Sequence, residues 1–128
     1  MRVVFDTDVL IDHLRGFAPA TTYLFKCQEM ERWISAVTVM ELYAAPGISS
    51  EQQEKMSRLF EGLTGVADVT AETAREAGEL LARYGKSSGL NPVDALIAAT
   101  ALDMDAVLVT RNRRHFDFIA GLIVDSPH

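Results

Sequence analysis

The chain has 128 residues, of which 48% are hydrophobic and 23% are charged, which suits one globular domain with a buried core. Its net charge of −6 argues against a protein that coats nucleic acid electrostatically, although it allows an acidic pocket filled by cations. Apolar runs too short for a bilayer, no visible signal peptide and a single cysteine, Cys27, together predict a cytoplasmic protein without an internal disulfide.

The first third of the chain has the pattern of a strand followed by two helices. Arg2–Phe5 is a short apolar, β-branched run, which predicts a buried strand. A short helix is predicted over Val9–Leu14, with Asp8 as its cap. Pro19 is well placed to open a second helix, with Leu24 and Phe25 on its apolar side.

The middle of the chain continues this alternation. Trp33–Val37 predicts a strand, and Thr38–Ala45 predicts a short helix after it. Two longer amphipathic helices follow, with apolar stripes over Met56–Leu63 and Ala74–Tyr84. Between these helices, Val66–Val69 predicts a brief edge strand.

The last third of the chain completes the predicted sheet. Lys86–Leu90 is predicted as a polar loop, after which Asn91 starts a helix whose body, Ala95–Leu102, is apolar almost all round and therefore buried. Ala106–Val109 and Leu122–Val124 are the last predicted strands. Apolar strands that alternate with helices indicate a parallel sheet covered on both faces. The sequence therefore predicts an α/β protein, a three-layer α/β/α sandwich with a central parallel sheet.

Four oxygen-bearing side chains follow strands or begin helices. Asp6 ends the first strand, and Glu41 lies one turn into the helix after the second. Asp94 lies in the first turn of the buried helix, and Asn112 follows the strand that ends at Val109. Because ligands bind beyond the carboxyl ends of parallel strands, we expect these side chains to share one pocket. Crowded carboxylates either raise one another's pKa or bind a cation, and an all-oxygen set suits Mg²⁺ or Mn²⁺.

Helix capping offers a structural alternative for two of these acids. Thr38 and Glu41 have the spacing of a capping box, and Asn91 and Asp94 fit a cap residue with an acid at the third helical position. Asp6 is harder to explain in this way, because an unpaired charge at the end of a buried strand is costly.

Basic residues next to the predicted pocket have two possible roles. Arg111, Arg113 and Arg114 form either an ordinary solvated cluster or a set of contacts to phosphate. His13 and His115 are interpreted as surface or packing residues rather than as metal ligands.

Four segments, in this order, resemble the motifs of PIN-domain toxins of the VapC type. They are VFDTDVLID at 4–12, ISAVTVMEL at 34–42, NPVDALIAATA at 91–101 and VTRNRRHF at 109–116. The resemblance spans nearly the whole chain and implies that residues 1–128 form a single PIN domain. It also implies an endoribonuclease that needs Mg²⁺ or Mn²⁺ and cleaves structured RNA, usually transfer RNA.

The resemblance also implies roles for individual residues and for partners. Asp6, Glu41 and Asp94 would form the acidic centre, with Asp6 and Asp94 as direct metal ligands. Asn112 stands where many PIN domains have an aspartate, so it supplies no charge, and Asp117 is a nearby acid that could compensate. The implied partners are a second copy of the chain, in a homodimer, and a cognate antitoxin whose C-terminal segment wraps the toxin and blocks the pocket.

Two other functions remain open at this stage. The segment FDTD at 5–8 also resembles the nucleophile motif of haloacid-dehalogenase phosphatases, in which Asp6 is phosphorylated and Asp8 is the general acid. That class needs a downstream lysine, for which Lys86 is available, and an acidic pair after a later strand, whereas Asp103 and Asp105 precede theirs. A PIN-fold binding module without catalysis is the other alternative, and the presence of all three acids argues against it.

Overall fold

The computed structural model describes residues 1–128 as five strands and six α-helices, with one 3₁₀ turn at Arg113–His115. The strands are β1 (Arg2–Phe5), β2 (Glu31–Ser35), β3 (Gly65–Ala67), β4 (Val107–Val109) and β5 (Val124–Asp125). The helices are α1 (Thr7–Leu14), α2 (Ala18–Lys26), α3 (Ala36–Ala44), α4 (Ser50–Gly62), α5 (Ala71–Ser88) and α6 (Pro92–Asp103). None of these helices combines the length and the apolar character needed to cross a membrane.

All five strands are parallel and form one sheet in the order β3-β2-β1-β4-β5. The chain builds outward from β1 to β2 and β3, and then returns to place β4 on the other side of β1. The order therefore reverses between β1 and β4, and the crevice beyond the carboxyl ends of these two strands is the expected ligand site of such a sheet.

The central strand shows why both faces of the sheet are covered. Val3 and Phe5 belong to a core cluster with residues of α1, α2 and α4, whereas Val4 belongs to a second cluster with α5 and α6. All three side chains are almost completely buried. A strand buried on both sides reads as a continuous apolar run, as this one does. The predicted α/β/α sandwich is confirmed.

Two helices begin earlier than the sequence predicts, because the helix cap is the last residue of the preceding strand, as for Ser35, or the residue directly after that strand, as for Asp6. Asp6 caps α1 by accepting a hydrogen bond from the backbone N–H of Thr7, so the prediction that Asp8 is the cap is wrong. Ser35 caps α3 in the same way, and the predicted capping box of Thr38 and Glu41 is therefore also wrong.

Two smaller predictions also fail. Phe25 is 66% exposed, because its neighbour Leu24 takes the buried position on α2 and adjacent helical residues point about 100° apart. The segment Lys86–Leu90, predicted as a loop, includes the last turn of α5, which ends at Ser88. Gly89 then adopts a left-handed conformation, with φ of 71°, that ends the helix.

Candidate active site

An open cleft of about 320 Å³ lies beyond the carboxyl ends of β1 and β4, where the strand order reverses. All four side chains that the sequence predicts for the site line this cleft, although their roles stay predictions. The lining residues are Asp6, Thr7, Asp8, Ile11, Arg15, Glu41, Asn91, Asp94, Arg111, Asn112 and His115.

Asp6 is the most buried acid of the cleft, with only 7% of its surface exposed. Its Oδ1 accepts a hydrogen bond from the Thr7 backbone N–H, and its Oδ2 accepts one from the Thr110 hydroxyl, both at 2.8 Å. Burial, followed by the nearby carboxylates of Asp8 and Asp94, raises the pKa of Asp6 to about 7, although both hydrogen bonds oppose the shift. The protein therefore holds this carboxyl group in surroundings that lack a compensating positive charge.

Glu41 lies in the second turn of α3 and takes part in a hydrogen-bonded cluster with α1. The Thr7 hydroxyl donates to Glu41 Oε1 at 2.5 Å and lies 3.1 Å from the Thr38 hydroxyl. Thr7 and Thr38 are both buried. Glu41 does not cap its own helix, and its side chain lines the cleft instead.

Replacing Thr7 by valine is expected to destabilise the protein by about 1–3 kcal/mol, because the buried Thr38 hydroxyl would lose its partner. Urea denaturation followed by circular dichroism measures this loss. Thr7→Ser keeps the hydroxyl and serves as the control, with a loss of no more than about 1 kcal/mol from its buried methyl group. Stability of Thr7→Val equal to that of the parent protein would show that the hydroxyl cluster contributes nothing.

Asp94 begins α6 together with Asn91. Asn91 Oδ1 accepts from the Asp94 backbone N–H at 2.9 Å, and its amide donates to Asp94 Oδ2 at 3.0 Å, so Asn91 is the predicted cap. Burial raises the pKa of Asp94, nearby His115 opposes this, and Glu41 adds to it. His115 Nδ1 lies 3.5 Å from Asp94 Oδ2, which places this exposed imidazole on the cleft rather than on a remote surface.

Asp8 is the cleft acid that the sequence analysis missed. Its Oδ1 accepts from the Arg111 backbone N–H at 3.3 Å, and its Oδ2 accepts from the Asn112 amide at 2.8 Å. Burial raises its pKa, and the contacts with Arg111 oppose the shift. The sequence does contain a signal for this role of Asp8. If Asp6, directly after the first strand, caps the helix, then Asp8 falls in the first helical turn, beside the end of β4.

Asn112 and Asp117 occupy different surroundings. Asn112 lines the cleft, where its amide holds Asp8 and its backbone N–H donates to Thr110 Oγ1 at 3.1 Å. Asp117 does not line the cleft, and its half-exposed carboxylate lies 3.5 Å from Arg113 Nε. The carboxylate in contact with Asn112 is therefore that of Asp8.

The donor atoms of the cleft fit a hard divalent cation. Four carboxylates, those of Asp6, Asp8, Glu41 and Asp94, line one crevice, and each oxygen of Asp6 keeps a lone pair beyond its single hydrogen bond. No three acidic, imidazole or thiol groups are placed so that they could hold a metal ion by themselves. Mg²⁺ suits such an open arrangement, because it keeps several waters and commonly binds through one or two carboxylates together with phosphate oxygens.

Known proteins resemble this chain over almost its full length. The family described as PIN domain matches residues 3–122. Ribonuclease VapC19 of Mycobacterium tuberculosis is 34% identical over 91% of this chain and 94% of its own length. The tRNA(fMet)-specific endonuclease VapC of Shigella flexneri is 30% identical over 95% of each chain. A toxin–antitoxin complex from Klebsiella pneumoniae contains a chain with TM-score 0.81 and 28% identity, covering 98% of both chains.

Proposed function

This chain belongs to the PIN-domain family, and on that premise we propose that it is a metal-dependent endoribonuclease acting as the toxin of a toxin–antitoxin pair. The observation that carries the proposal is the single cleft in which Asp6, Glu41 and Asp94 meet at the reversal of strand order. The ribonuclease relatives, similar from end to end, support the same activity.

Asp6 and Asp94 are the residues proposed to hold Mg²⁺ or Mn²⁺. When bound, such an ion supplies Lewis acidity toward the phosphodiester and eases the ionisation of water. The protein's own contribution is to fix the carboxylates in place. Thr7 orients Glu41, which is proposed to accept a hydrogen bond from the attacking water, and Asn112 holds Asp8.

The proposed substrate is structured RNA, and transfer RNA is the first candidate because a 30% identical relative is named as a tRNA(fMet)-specific endonuclease. The phosphatase alternative finds little support in the cleft. That class of enzyme requires a lysine near the nucleophile, whereas the basic side chains that line this cleft are Arg15, Arg111 and His115, and Lys86 is not among them.

The proposed partners are a cognate antitoxin and a second copy of the chain. The toxin–antitoxin complex from Klebsiella pneumoniae supports the first of these. Exposed apolar side chains offer surface for protein partners, since Phe25 on α2 is 66% exposed and Met40 and Tyr43 on α3 are 57% and 70% exposed. Phe25 also lines a groove of about 380 Å³ between α2 and α4.

Digestion of total transfer RNA by the purified chain, freed of antitoxin, tests the proposed function. We expect discrete fragments with Mg²⁺ or Mn²⁺, none with EDTA, and recovery of cleavage when the metal is restored. A mock preparation from cells with an empty vector controls for contaminating nucleases. Cleavage that persists in EDTA would contradict the metal-dependent mechanism. Hydrolysis of a chromogenic phosphomonoester with no cleavage of RNA would favour the phosphatase.

A further inference from the structure

Arg111 is held at the mouth of the acidic cleft by two carboxylates of α1. Its Nη1 donates to Asp12 Oδ1 at 2.8 Å, and its Nε lies 4.0 Å from Asp8 Oδ2. Asp8 and Asp12 are one helical turn apart, and their side chains are only 12% and 15% exposed. The guanidinium is therefore fixed along one side by a nearly buried pair of acids.

The other side of this guanidinium is free. Nη2 of Arg111 has no hydrogen-bond partner within the protein, and 45% of the side chain is exposed on the wall of the cleft. A guanidinium has five N–H donors in a rigid fork, so an arginine anchored by one edge can still offer a second edge to a planar or tetrahedral anion.

The two neighbouring arginines are placed differently. Arg113 forms an ion pair with Asp117, and Arg114 has neither an ion-pair nor a hydrogen-bond partner for its side chain. Neither of them lines the cleft. Of the three arginines that follow β4, only Arg111 is both anchored and directed to the candidate site.

We propose that Arg111 binds a backbone phosphate of the RNA beside the scissile bond, and that Asp12 is a positioning residue that aims Arg111 at this phosphate. The inference rests on the proposed ribonuclease function. Four carboxylates line the cleft of a chain with net charge −6, so a polyanion approaching it meets repulsion. A cation fixed at the mouth offsets that repulsion, and its anchoring reduces the entropy lost on binding.

Steady-state cleavage kinetics on one purified transfer RNA that the chain cleaves test this proposal. Arg111→Gln is expected to raise KM roughly tenfold with little change in kcat. It should also reduce the slope of the logarithm of RNA affinity against the logarithm of salt concentration by about one, the amount expected for one lost phosphate contact. Arg111→Lys keeps the charge but loses the fork and is expected to fall between Arg111→Gln and the parent protein. Arg114→Gln removes the same charge from the same loop outside the cleft and serves as the matched control.

Asp12→Asn gives the sharper test, because a positioning role and a purely repulsive role of Asp12 predict changes of KM in opposite directions. If Asp12 acted only as a negative charge, its removal would strengthen the binding of RNA. As a positioning residue, its removal frees Arg111 and is expected to raise KM several-fold. Calorimetric Mg²⁺ binding, unchanged in the variants, and circular dichroism separate these effects from loss of metal or of fold.

Three outcomes would overturn the inference. Equal KM values for Arg111→Gln and Arg114→Gln would mean that Arg111 does not bind the RNA. A lower KM for Asp12→Asn would mean that Asp12 acts only as a negative charge that repels the RNA. Failure of the parent protein to cleave any RNA would overturn the proposed function and this inference with it, whereas cleavage that is indifferent to these substitutions would overturn the inference alone.

Discussion

Asp94→Asn is expected to lower kcat for metal-dependent RNA cleavage by roughly 1000-fold while the protein stays folded. The substitution removes a negative charge that faces the cleft but preserves the shape of the side chain. The Asp94 backbone N–H still donates to Asn91 Oδ1, and the new amide oxygen can accept from Asn91 Nδ2, so the start of α6 keeps its hydrogen bonds. The measured loss is then chemical rather than structural.

Asp117→Asn is the matched control for this experiment. It makes the same chemical change in an exposed residue that pairs with Arg113 outside the cleft, and its kcat is expected to stay within about twofold of the parent value. Isothermal titration with Mg²⁺ should show weakened binding for Asp94→Asn only. Wild-type cleavage by Asp94→Asn would mean that Asp94 merely completes the start of α6 with Asn91.

The apolar pattern of the sequence was sufficient to predict the architecture. The apolar run Val3–Phe5 buries all three of its side chains as part of the central strand of a covered parallel sheet. The apolar body of α6 likewise requires burial on all sides. Once these elements are placed, the polar residues that follow the strands must meet at one edge. For this reason the sequence led to Asp6, Glu41, Asp94 and Asn112, which all line the cleft.

The exact starts of the helices could not be predicted in the same way, because neighbouring polar residues compete to be the cap. Asp6 and Asp8 are both good caps, as are Ser35 and Thr38, and propensity alone does not rank them. The structure uses the earlier residue each time, so strand and helix join without a loop. This small shift has a large consequence for the site, since Asp8 then becomes a cleft residue rather than a cap.

Asp6→Asn is expected to stabilise the metal-free protein at pH 8 by on the order of 2–4 kcal/mol. The pKa of Asp6 is about 7 in the folded protein, against 3.8 for the unperturbed group. The folded state therefore binds this proton more tightly than the unfolded state between pH 4 and pH 7. Stability of the metal-free parent protein falls as the pH rises through this range and is lowest once Asp6 is ionised.

The hydrogen bonds around Asp6 can survive this substitution. The asparagine oxygen can accept from the Thr7 backbone N–H, and its amide can donate to Thr110 Oγ1, whose own proton is then free to turn toward Asp8 Oδ2, 3.4 Å away. The cost of ionising a buried carboxyl disappears, while the cap of α1 remains. The stabilisation is thus expected to vanish near pH 4, where the parent Asp6 is protonated in any case.

Urea denaturation in EDTA at pH 4, 6 and 8 measures the difference in free energy of unfolding between Asp6→Asn and the parent protein. Asp117→Asn changes an exposed carboxylate and is the control, for which we expect no stabilisation that grows with pH. Added Mg²⁺ is expected to stabilise the parent protein and not Asp6→Asn, because an ion that binds only the folded state raises its stability with concentration. In saturating Mg²⁺ the stability of the parent protein would then approach that of Asp6→Asn. Lower stability of Asp6→Asn in EDTA at pH 8 would instead make Asp6 a structural residue, whose charge the fold needs even without a cation.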